Sequence, residues 1–481
     1  MIIFNAFLLI FAIAFMGCIL ATPMATRLAH RLGAIDRPDQ FRRIHKGATP
    51  RMGGLGLAAG IAAGIGLVVA AGYLDGWAGL VDWVANIWAL VAAGLIILAI
   101  GVVDDARGIG PRMKLLGQAA AVIVLYLGRV QIESIALGGY EIDLGRPSFD
   151  LVLLGRPVHV AVPSLLATMF WFLACMNIWN LIDGMDGLAS GVGLLVSGTL
   201  MLVAIHHENV GVAILAAGLA GSLAGFLLYN WHPACVFLGD SGSLLIGLMI
   251  GVIGVQGSLK GPSTISILFP ILAMGLPISD TAMAIFRRWV RNLPLSSADR
   301  RHIHHLLIGL GLDPRQAALL LYCFSGFLCG AVLLGVALKS EFLAVVLGLS
   351  GCLAFLLILT SRRDELQSLR DDFAARMIRG RQERFAAKAT WEAIQRVELC
   401  DNFAAIGAIL HANCRALGCE IQRLTCRRDG RLVFDGSVDP TSIAVAMSPG
   451  DEPAVSAPSA TFRLSSGRDM MLTVALRQSC E

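Results

Sequence analysis

Two carboxylates and two amides at matched spacing interrupt a chain that is otherwise apolar enough for a membrane. They lie in the stretch Asn177-Ile-Trp-Asn-Leu-Ile-Asp-Gly-Met-Asp-Gly-Leu188, between two long hydrophobic runs. Asp183 and Asp186 are three residues apart, as are Asn177 and Asn180, so each pair shares a face if the segment is helical. Gly184 and Gly187 permit a tight turn and the close approach of a ligand. Polar packing between helices would account for one Asn, but ionisable groups at membrane depth are costly and mark a functional site by default.

Four further polar motifs carry candidate chemistry. Gly101-Val-Val-Asp-Asp-Ala-Arg-Gly-Ile-Gly110, followed by Lys114 and Gln118, sets Asp104 beside Asp105 at the end of an apolar run. The pair could bind a metal, orient a lysine, act as a base or simply end a helix. Acids oppose the dipole at a helix C-terminus, so a cationic partner is expected. Val236-Phe-Leu-Gly-Asp-Ser-Gly-Ser-Leu244 puts Asp240 at the start of an apolar helix, as an N-cap, a metal ligand or both. Magnesium suits it, because that ion takes few carboxylates and completes its shell with phosphate oxygens and water.

Arg300-Arg-His-Ile-His-His305 gathers Arg301, His302, His304 and His305. Zinc would want further Cys or His nearby. The arginines repel a cation and attract phosphate, which favours phosphate or sugar contacts over a plain basic loop. Asp36-Arg-Pro-Asp-Gln-Phe-Arg-Arg-Ile-His-Lys46 offers Arg42, Arg43, His45 and Lys46 to an anionic headgroup or phosphate, although an ordinary cytoplasmic basic loop has the same composition. Gly53-Gly54, opening the next apolar run, would add backbone donors to an anion. Asp280 lies inside an apolar run with its role open, and His206-His207 reads as a solvated turn.

The elements that must position these groups are membrane helices. The 481 residues are 56% hydrophobic and 15% charged, with a mean hydropathy of +0.72. Soluble domains carry about 25% charged residues. A spanning helix needs about 20 mostly apolar residues. Segments 2–21, 53–71, 87–103, 115–128, 158–176, 187–205, 210–228, 241–256, 263–285, 315–337 and 342–360 meet or approach that length, which predicts about eleven transmembrane helices. The first lacks the basic leader of a cleaved signal and reads as retained. The eleven cysteines include no CxxC pair.

Charge sets the sidedness. Segment 22–52 has seven Lys/Arg against two acids, and 286–312 has five against Asp299 alone, whereas 72–86 and 206–209 have none. Basic loops stay cytoplasmic. The N-terminus is therefore predicted outside and the C-terminus inside, with all five motifs on the cytoplasmic face. The outer loop 129–157 carries alternating residues around Gly138-Gly139 and reads as a β-hairpin (Gln131 to Leu137, Tyr140 to Leu144).

Beyond Leu359 the composition changes. Residues 361–396 hold nine basic and six acidic residues at helical spacing, as in a surface helix. Short alternating runs at Glu420–Thr425, Leu432–Phe434, Ser442–Met447, Thr461–Leu464 and Met471–Leu476 predict a small sheet. The expected fold is an all-α polytopic membrane domain, 1–360, followed by a small α+β cytoplasmic extension, 361–481.

Taken together, these motifs resemble the polyprenyl-phosphate N-acetylhexosamine-1-phosphate transferase family (the MraY-like and WecA-like membrane enzymes of glycosyltransferase family 4). The resemblance rests on Asp36-x-Pro with His45 and Pro50-x-x-Gly-Gly54; Asp104-Asp105 with Lys114 and Gln118; Asn177-x-x-Asn-x-x-Asp-Gly-x-Asp-Gly-Leu188; Phe237-x-Gly-Asp-x-Gly-Ser243; and His302-x-His-His305, in that order. It covers about residues 1–360 and leaves out the tail. The His-Ile-His-His form looks more like the branch that uses UDP-N-acetylglucosamine or related sugars.

The resemblance implies transfer of an N-acetylhexosamine 1-phosphate from a UDP-sugar to undecaprenyl or another polyprenyl phosphate, releasing UMP and starting a cell-envelope polysaccharide. It implies an enzyme of the inner membrane with its active site on the cytoplasmic face. Asp104, Asp105 and Asp240 would be catalytic. Asp240, with Asn180, would hold Mg2+, or Mn2+ in its place. Arg43, His45, Lys114, Asn177, Asp183, Asp186, Arg301, His302, His304 and His305 would bind substrate. Partners would be the polyprenyl phosphate, the UDP-sugar and the bilayer, without nucleic acid and with a homodimer left open. The sibling phospho-MurNAc-pentapeptide transferase is the alternative within the family. A lipid-binding or transport protein is the alternative outside it, and would place charges on both faces and pair its broken helices.

Overall fold

A computed structural model describes residues 2–36, 48–75, 78–137, 140–153, 156–258, 268–290 and 302–360, with parts of 384–413 and the strands of the C-terminal region. Arg42, Arg43, His45, Lys46, Arg300 and Arg301 lie outside the described residues, as do 361–383 of the predicted surface helix and the predicted strand 442–447. The chain forms two compact units, Met1–Leu366 and Gln367–Glu481.

The first unit is helical. Its helices are α1 (Ile2–Leu32), α2 (Gly53–Asp75), α3 (Ala78–Arg107), α4 (Pro111–Leu127), α5 (Val162–Ile182), α6 (Leu188–His206), α7 (Val210–Asn230), α8 (Gly239–Ser258), α9 (Leu268–Ala273), α10 (Gly275–Val290), α11 (Ile303–Gly309), α12 (Pro314–Ala337) and α13 (Glu341–Thr360). Among the described residues, seven are long and apolar enough to cross a membrane: α1, α3, α5, α6, α7, α8 and α12. Shorter apolar stretches lie in α2 and α13. The chain is therefore a multi-pass membrane protein.

Helix starts follow local chemistry. Pro111 and Pro163 take first-turn positions, where the missing N–H costs nothing. Asp313 and Gln316 form a capping box ahead of α12.

The helices are not equally deep. The most apolar window of α8 is 83% buried inside the protein, against 22% for that of α3. Helix α8 is the central post, packed on α2, α3, α5 and α7. Its first turn is hemmed in by backbone: a Cβ on Gly54 would meet Gly242 N at 2.2 Å, and one on Gly101 would meet Ser241 Cα at 2.3 Å. Only glycine lets three chain segments meet this closely.

Three departures from the sequence reading have physical reasons. Residues 158–161, expected to begin a span, belong instead to a strand, Arg156–Ala161, paired with Ser148–Leu153 in a second hairpin, and α5 starts at Val162. The alternation on both sides of Gly155 is a strand signal hidden beside a hydrophobic run. The described part of the expected span 263–285, from Leu268 on, is two helices, α9 and α10, separated at Met274, and α10 runs on to Val290 as an amphipathic helix. Asp240 is not the N-cap of α8 but lies in its first turn. The predicted hairpin is present, with Ser134–Leu137 against Tyr140–Asp143, and His206 and His207 are exposed at the end of α6.

Two short strands, β1 (Ile35–Asp36) and β2 (Thr49–Pro50), pair antiparallel before α2, and β3 (Ser134–Leu137), β4 (Tyr140–Asp143), β5 (Ser148–Leu153) and β6 (Arg156–Ala161) form the two hairpins. The second unit carries a four-stranded antiparallel sheet of β7 (Cys419–Arg428), β8 (Arg431–Gly436), β9 (Ser459–Leu464) and β10 (Met470–Gln478), in the order β8-β7-β10-β9. Thr473 of β10 is in register with Thr425 and Thr461.

Candidate active site

Helix ends bring the polar motifs together. The end of α3 carries Asp104 and Asp105, the start of α4 Lys114, the end of α5 Asn177 and Asn180, and the start of α8 Asp240. Lys114 Nζ lies 3.0 Å from Asp104 Oδ2 and bonds Asp240 Oδ2 on its other side. All three side chains are half-buried. The cation expected beside the Asp pair is thus Lys114, though only one acid of the pair uses it.

Asp105 does something else. Its Oδ1 accepts from Asp240 N at 2.8 Å, and its Oδ2 accepts from Ser241 N at 3.1 Å and Ser241 Oγ at 2.7 Å. It caps α8 from a neighbouring helix, satisfying N–H groups that the first turn cannot pair for itself. Both oxygens are engaged in this way, which fixes the first turn of α8 against the end of α3. Gly239, at φ +70°, clears the space: a Cβ there would sit 2.6 Å from Asp105 Oδ1. The neighbouring acids divide their work, since Asp104 accepts from Ile109 N at 2.6 Å and holds Lys114.

Asn180 Nδ2 donates to Asp240 Oδ1 at 2.9 Å and to Ser243 Oγ at 3.0 Å. Asn177 is turned away from this cluster, donating to Gln118 Oε1 and Leu173 O, both at 2.8 Å. The shared spacing of the two amides therefore does not give them shared partners.

The turn 183–187 forms the next wall. Asp183 takes no hydrogen bond among the described residues, and burial, reinforced by Asp105, pushes its carboxyl up to about 7. Asp186 Oδ2 accepts from His232 Nδ1 at 2.8 Å and Ala234 N at 3.1 Å. Gly187, at φ +75°, donates to Asn230 Oδ1 at 3.1 Å, and its carbonyl accepts from Tyr322 Oη at 2.6 Å.

The histidine motif reaches this turn. A Cβ on Gly184 would lie 2.7 Å from His304 Cε1. His304 is buried, and burial, with His305 beside it, lowers its pKa to about 3, so it is neutral at ordinary pH. Its ring lies 5.9 Å from that of His302 and 4.2 Å from that of His305. Asp280, whose role the sequence left open, accepts from His302 Nδ1 at 2.9 Å and from Ile303 N at 2.8 Å. It anchors both the motif and the start of α11.

Sequence reasoning missed several of these partners. Asn230, His232 and Tyr322 lie outside every motif, and Ser241 lies inside one without a role assigned to it. Asp280 and His302 both stand out in the sequence, but their pairing across 22 residues does not. The expected anion site at Gly53-Gly54 is not available, because Gly53 N donates to Phe237 O and Gly54 N to Leu238 O. Those bonds tie α2 to the loop ahead of α8. Asp36 is buried, 3.8 Å from Arg51.

The sequence is similar to those of known proteins. A family model described as glycosyl transferase family 4 matches residues 87–258. A Bacillus subtilis protein described as a probable undecaprenyl-phosphate N-acetylglucosaminyl 1-phosphate transferase is 32% identical over 313 residues, covering 65% of this chain and 80% of that protein. The chain belongs to glycosyl transferase family 4.

Two other relatives widen the comparison. A decaprenyl-phosphate N-acetylglucosaminephosphotransferase of Mycolicibacterium smegmatis is 33% identical over 329 residues, 64% of this chain and 77% of that one. An undecaprenyl-phosphate alpha-N-acetylglucosaminyl 1-phosphate transferase of Escherichia coli is 26% identical over 325 residues, 66% and 79% of the two chains. The part matched by the glycosyl transferase family 4 model contains Asp104, Asp105, Lys114, Asn180, Asp183, Asp186 and Asp240. The histidines at 302–305 lie beyond it, joined through Gly184.

Proposed function

We propose that the chain transfers N-acetylglucosamine 1-phosphate, or a related N-acetylhexosamine 1-phosphate, from a UDP-sugar to a polyprenyl phosphate, releasing UMP. Family membership and the named substrates of its relatives support this reading. The observation that carries it is the cluster of Lys114, Asp104, Asp240 and Asn180, drawn from four helix ends. A lysine and hard oxygen donors at the end of apolar helices suit a diphosphate beside a lipid.

In this reaction an oxygen of the polyprenyl phosphate attacks the sugar-bearing phosphorus of the donor. The bond from that phosphorus to the bridging oxygen breaks, and its electron pair leaves on UMP. Such transfers ask little covalent chemistry of a protein and depend on positioning and charge neutralisation. Lys114 supplies a held positive charge. Asp104 positions it, and Asp105 fixes the turn that presents Asp240. The phosphate acceptor has a second pKa of about 6, so near neutral pH it is mostly a dianion and needs no strong base. His304, neutral and next to Gly184, offers a hydrogen-bonding ring rather than a charge.

The donor set fits magnesium. Among the described residues no three His, Cys, Asp or Glu side chains gather as a metal group. Magnesium does not require one, since it takes one or two carboxylates with water and substrate oxygens. Asp240 would hold it, with Asp104 and Asn180 beside it, and manganese is the natural substitute. When bound, the ion neutralises charge that develops on the diphosphate oxygens.

In our reading the first unit crosses the inner membrane eleven times, with its N-terminus outside and its cleft on the cytoplasmic face. Catalysis then belongs to residues 1–360, and 361–481 form a cytoplasmic extension. Membranes expressing the chain, supplied with magnesium, undecaprenyl phosphate and UDP-N-acetylglucosamine, should release UMP. Absence of UMP release with every UDP-N-acetylhexosamine tried would overturn the reading.

A further inference from the structure

The segment leaving α7, Trp231-His-Pro-Ala-Cys235, lies outside every motif that the sequence singled out. In the fold it touches the acidic turn. His232 Nδ1 and Ala234 N both donate to one oxygen of Asp186, Oδ2, while Oδ1 accepts no hydrogen bond among the described residues. The Asp186 side chain is 19% exposed and that of His232 33%, so the pair stands at a rim that a ligand can reach.

Helix α12 braces both halves of this contact. Arg315 Nε, in its first turn, donates to the carbonyl of His232 at 2.9 Å. Two turns on, Tyr322 Oη donates to the carbonyl of Gly187 at 2.6 Å, and its ring lies 6.0 Å from that of Trp231. The turn is held through Gly187, and the segment through His232 and Trp231. Asp186 is therefore fixed from the side opposite its own backbone, with one oxygen committed and one available.

A carboxylate so placed repels a diphosphate and accepts N–H or O–H groups. A uridine nucleotide offers both kinds, in its base and its ribose. Resting on the reading of the donor as a UDP-sugar, we propose that His232 is a positioning residue for the nucleoside. It holds Asp186 so that Oδ1 accepts a hydrogen bond from the base or the ribose, and it acts on donor binding rather than on phosphoryl transfer. Such paired histidines and carboxylates orient each other, the carboxylate selecting the Nδ1–H form of the ring.

The test uses the full-length chain purified in detergent, with UMP binding followed by calorimetry and turnover by UMP release. Asparagine can place its amide nitrogen where Nδ1 stood but has nothing at the position of Nε2. His232→Ala should weaken UMP binding and raise KM for UDP-N-acetylglucosamine by about tenfold, the effect of losing one hydrogen bond to a charged group, with kcat within about twofold. His232→Asn should restore both values to within about threefold of the parent chain, since it keeps that hydrogen bond. Unchanged UMP affinity in His232→Ala would overturn the proposal alone. So would a His232→Asn chain as weak as His232→Ala, because that result assigns the work to Nε2. A parent chain that binds no UMP would instead remove the UDP-sugar reading itself, and the proposal with it.

Discussion

The Lys114 ammonium pairs with the Asp240 carboxylate across 126 residues of sequence, joining the start of α4 to the start of α8. With Asp104 on its other side, the lysine holds the place between two acids that a divalent cation would also seek. Lys114→Gln should therefore bind Mn2+ more tightly than the parent chain in the absence of substrate, by about tenfold, the scale of one charge-assisted contact. Electron paramagnetic resonance titration reads this directly. Turnover should fall by about a hundredfold or more, since a fixed charge on the transferring phosphate is lost. Unchanged or weaker Mn2+ binding would show that the lysine does not compete for the site.

Asp104 and Asp105 should separate in mutagenesis although they are adjacent. Asp105→Ala removes the cap of α8 and should cost about 1–2 kcal/mol of stability, visible as a lowered thermal midpoint. Asp104→Asn should leave that midpoint nearly unchanged and lose activity. Raising the pH should not recover the activity, because the acceptor is already a dianion above about pH 6. Recovery at high pH would restore a proton-removing role to Asp104.

Asp183 predicts a pH-dependent cost. Its carboxyl value in the fold, about 7, lies above the unfolded range near 4. Between those values the folded chain holds a proton that the unfolded chain releases. Stability on this account falls as pH rises from about 4 to 7, and the full cost persists above that. In metal-free buffer, Asp183→Asn should raise the thermal midpoint little at pH 5 and more at pH 8. A gain of equal size at both values would mean that the carboxyl titrates normally.

Gly184→Ala tests the link between the acidic turn and the histidines. The added methyl would lie 2.7 Å from the buried ring of His304, which is flanked by His302 and His305. Turnover should fall by about tenfold or more, because displacements of an ångström or so in a positioning site are costly to rate. Activity equal to that of the parent chain would show that the ring has room to move.

Helix positions were legible because apolar runs of membrane length are a strong signal, and each predicted span has a helix in the fold. The second hairpin was not, because Arg156–Ala161 alternates at the edge of a hydrophobic run and reads equally well as the start of a helix. The polar motifs were legible as expensive residues in an apolar chain. Their division of labour was not. Spacing put Asp104 beside Asp105 and Asn177 in phase with Asn180, yet within each pair only Asp104 and Asn180 contact the side chains of Lys114 or Asp240. That choice depends on α8, which lies 60 residues further along the chain from Asn180 and 135 from Asp105. Long-range contacts of this kind leave no local pattern to read.

The first turn of α8 carries one last implication, for inhibition. Gly54 and Gly101 pack against it, and Gly239 opens it, so closely that any larger residue at these positions would collide with backbone or with the Asp105 carboxylate. A compound anchored on residues 239–242 would rest on a surface whose neighbours have almost no room to change. Resistance would have to arise elsewhere, at the 183–187 turn or the histidine helix, and those are the walls such a compound should leave untouched.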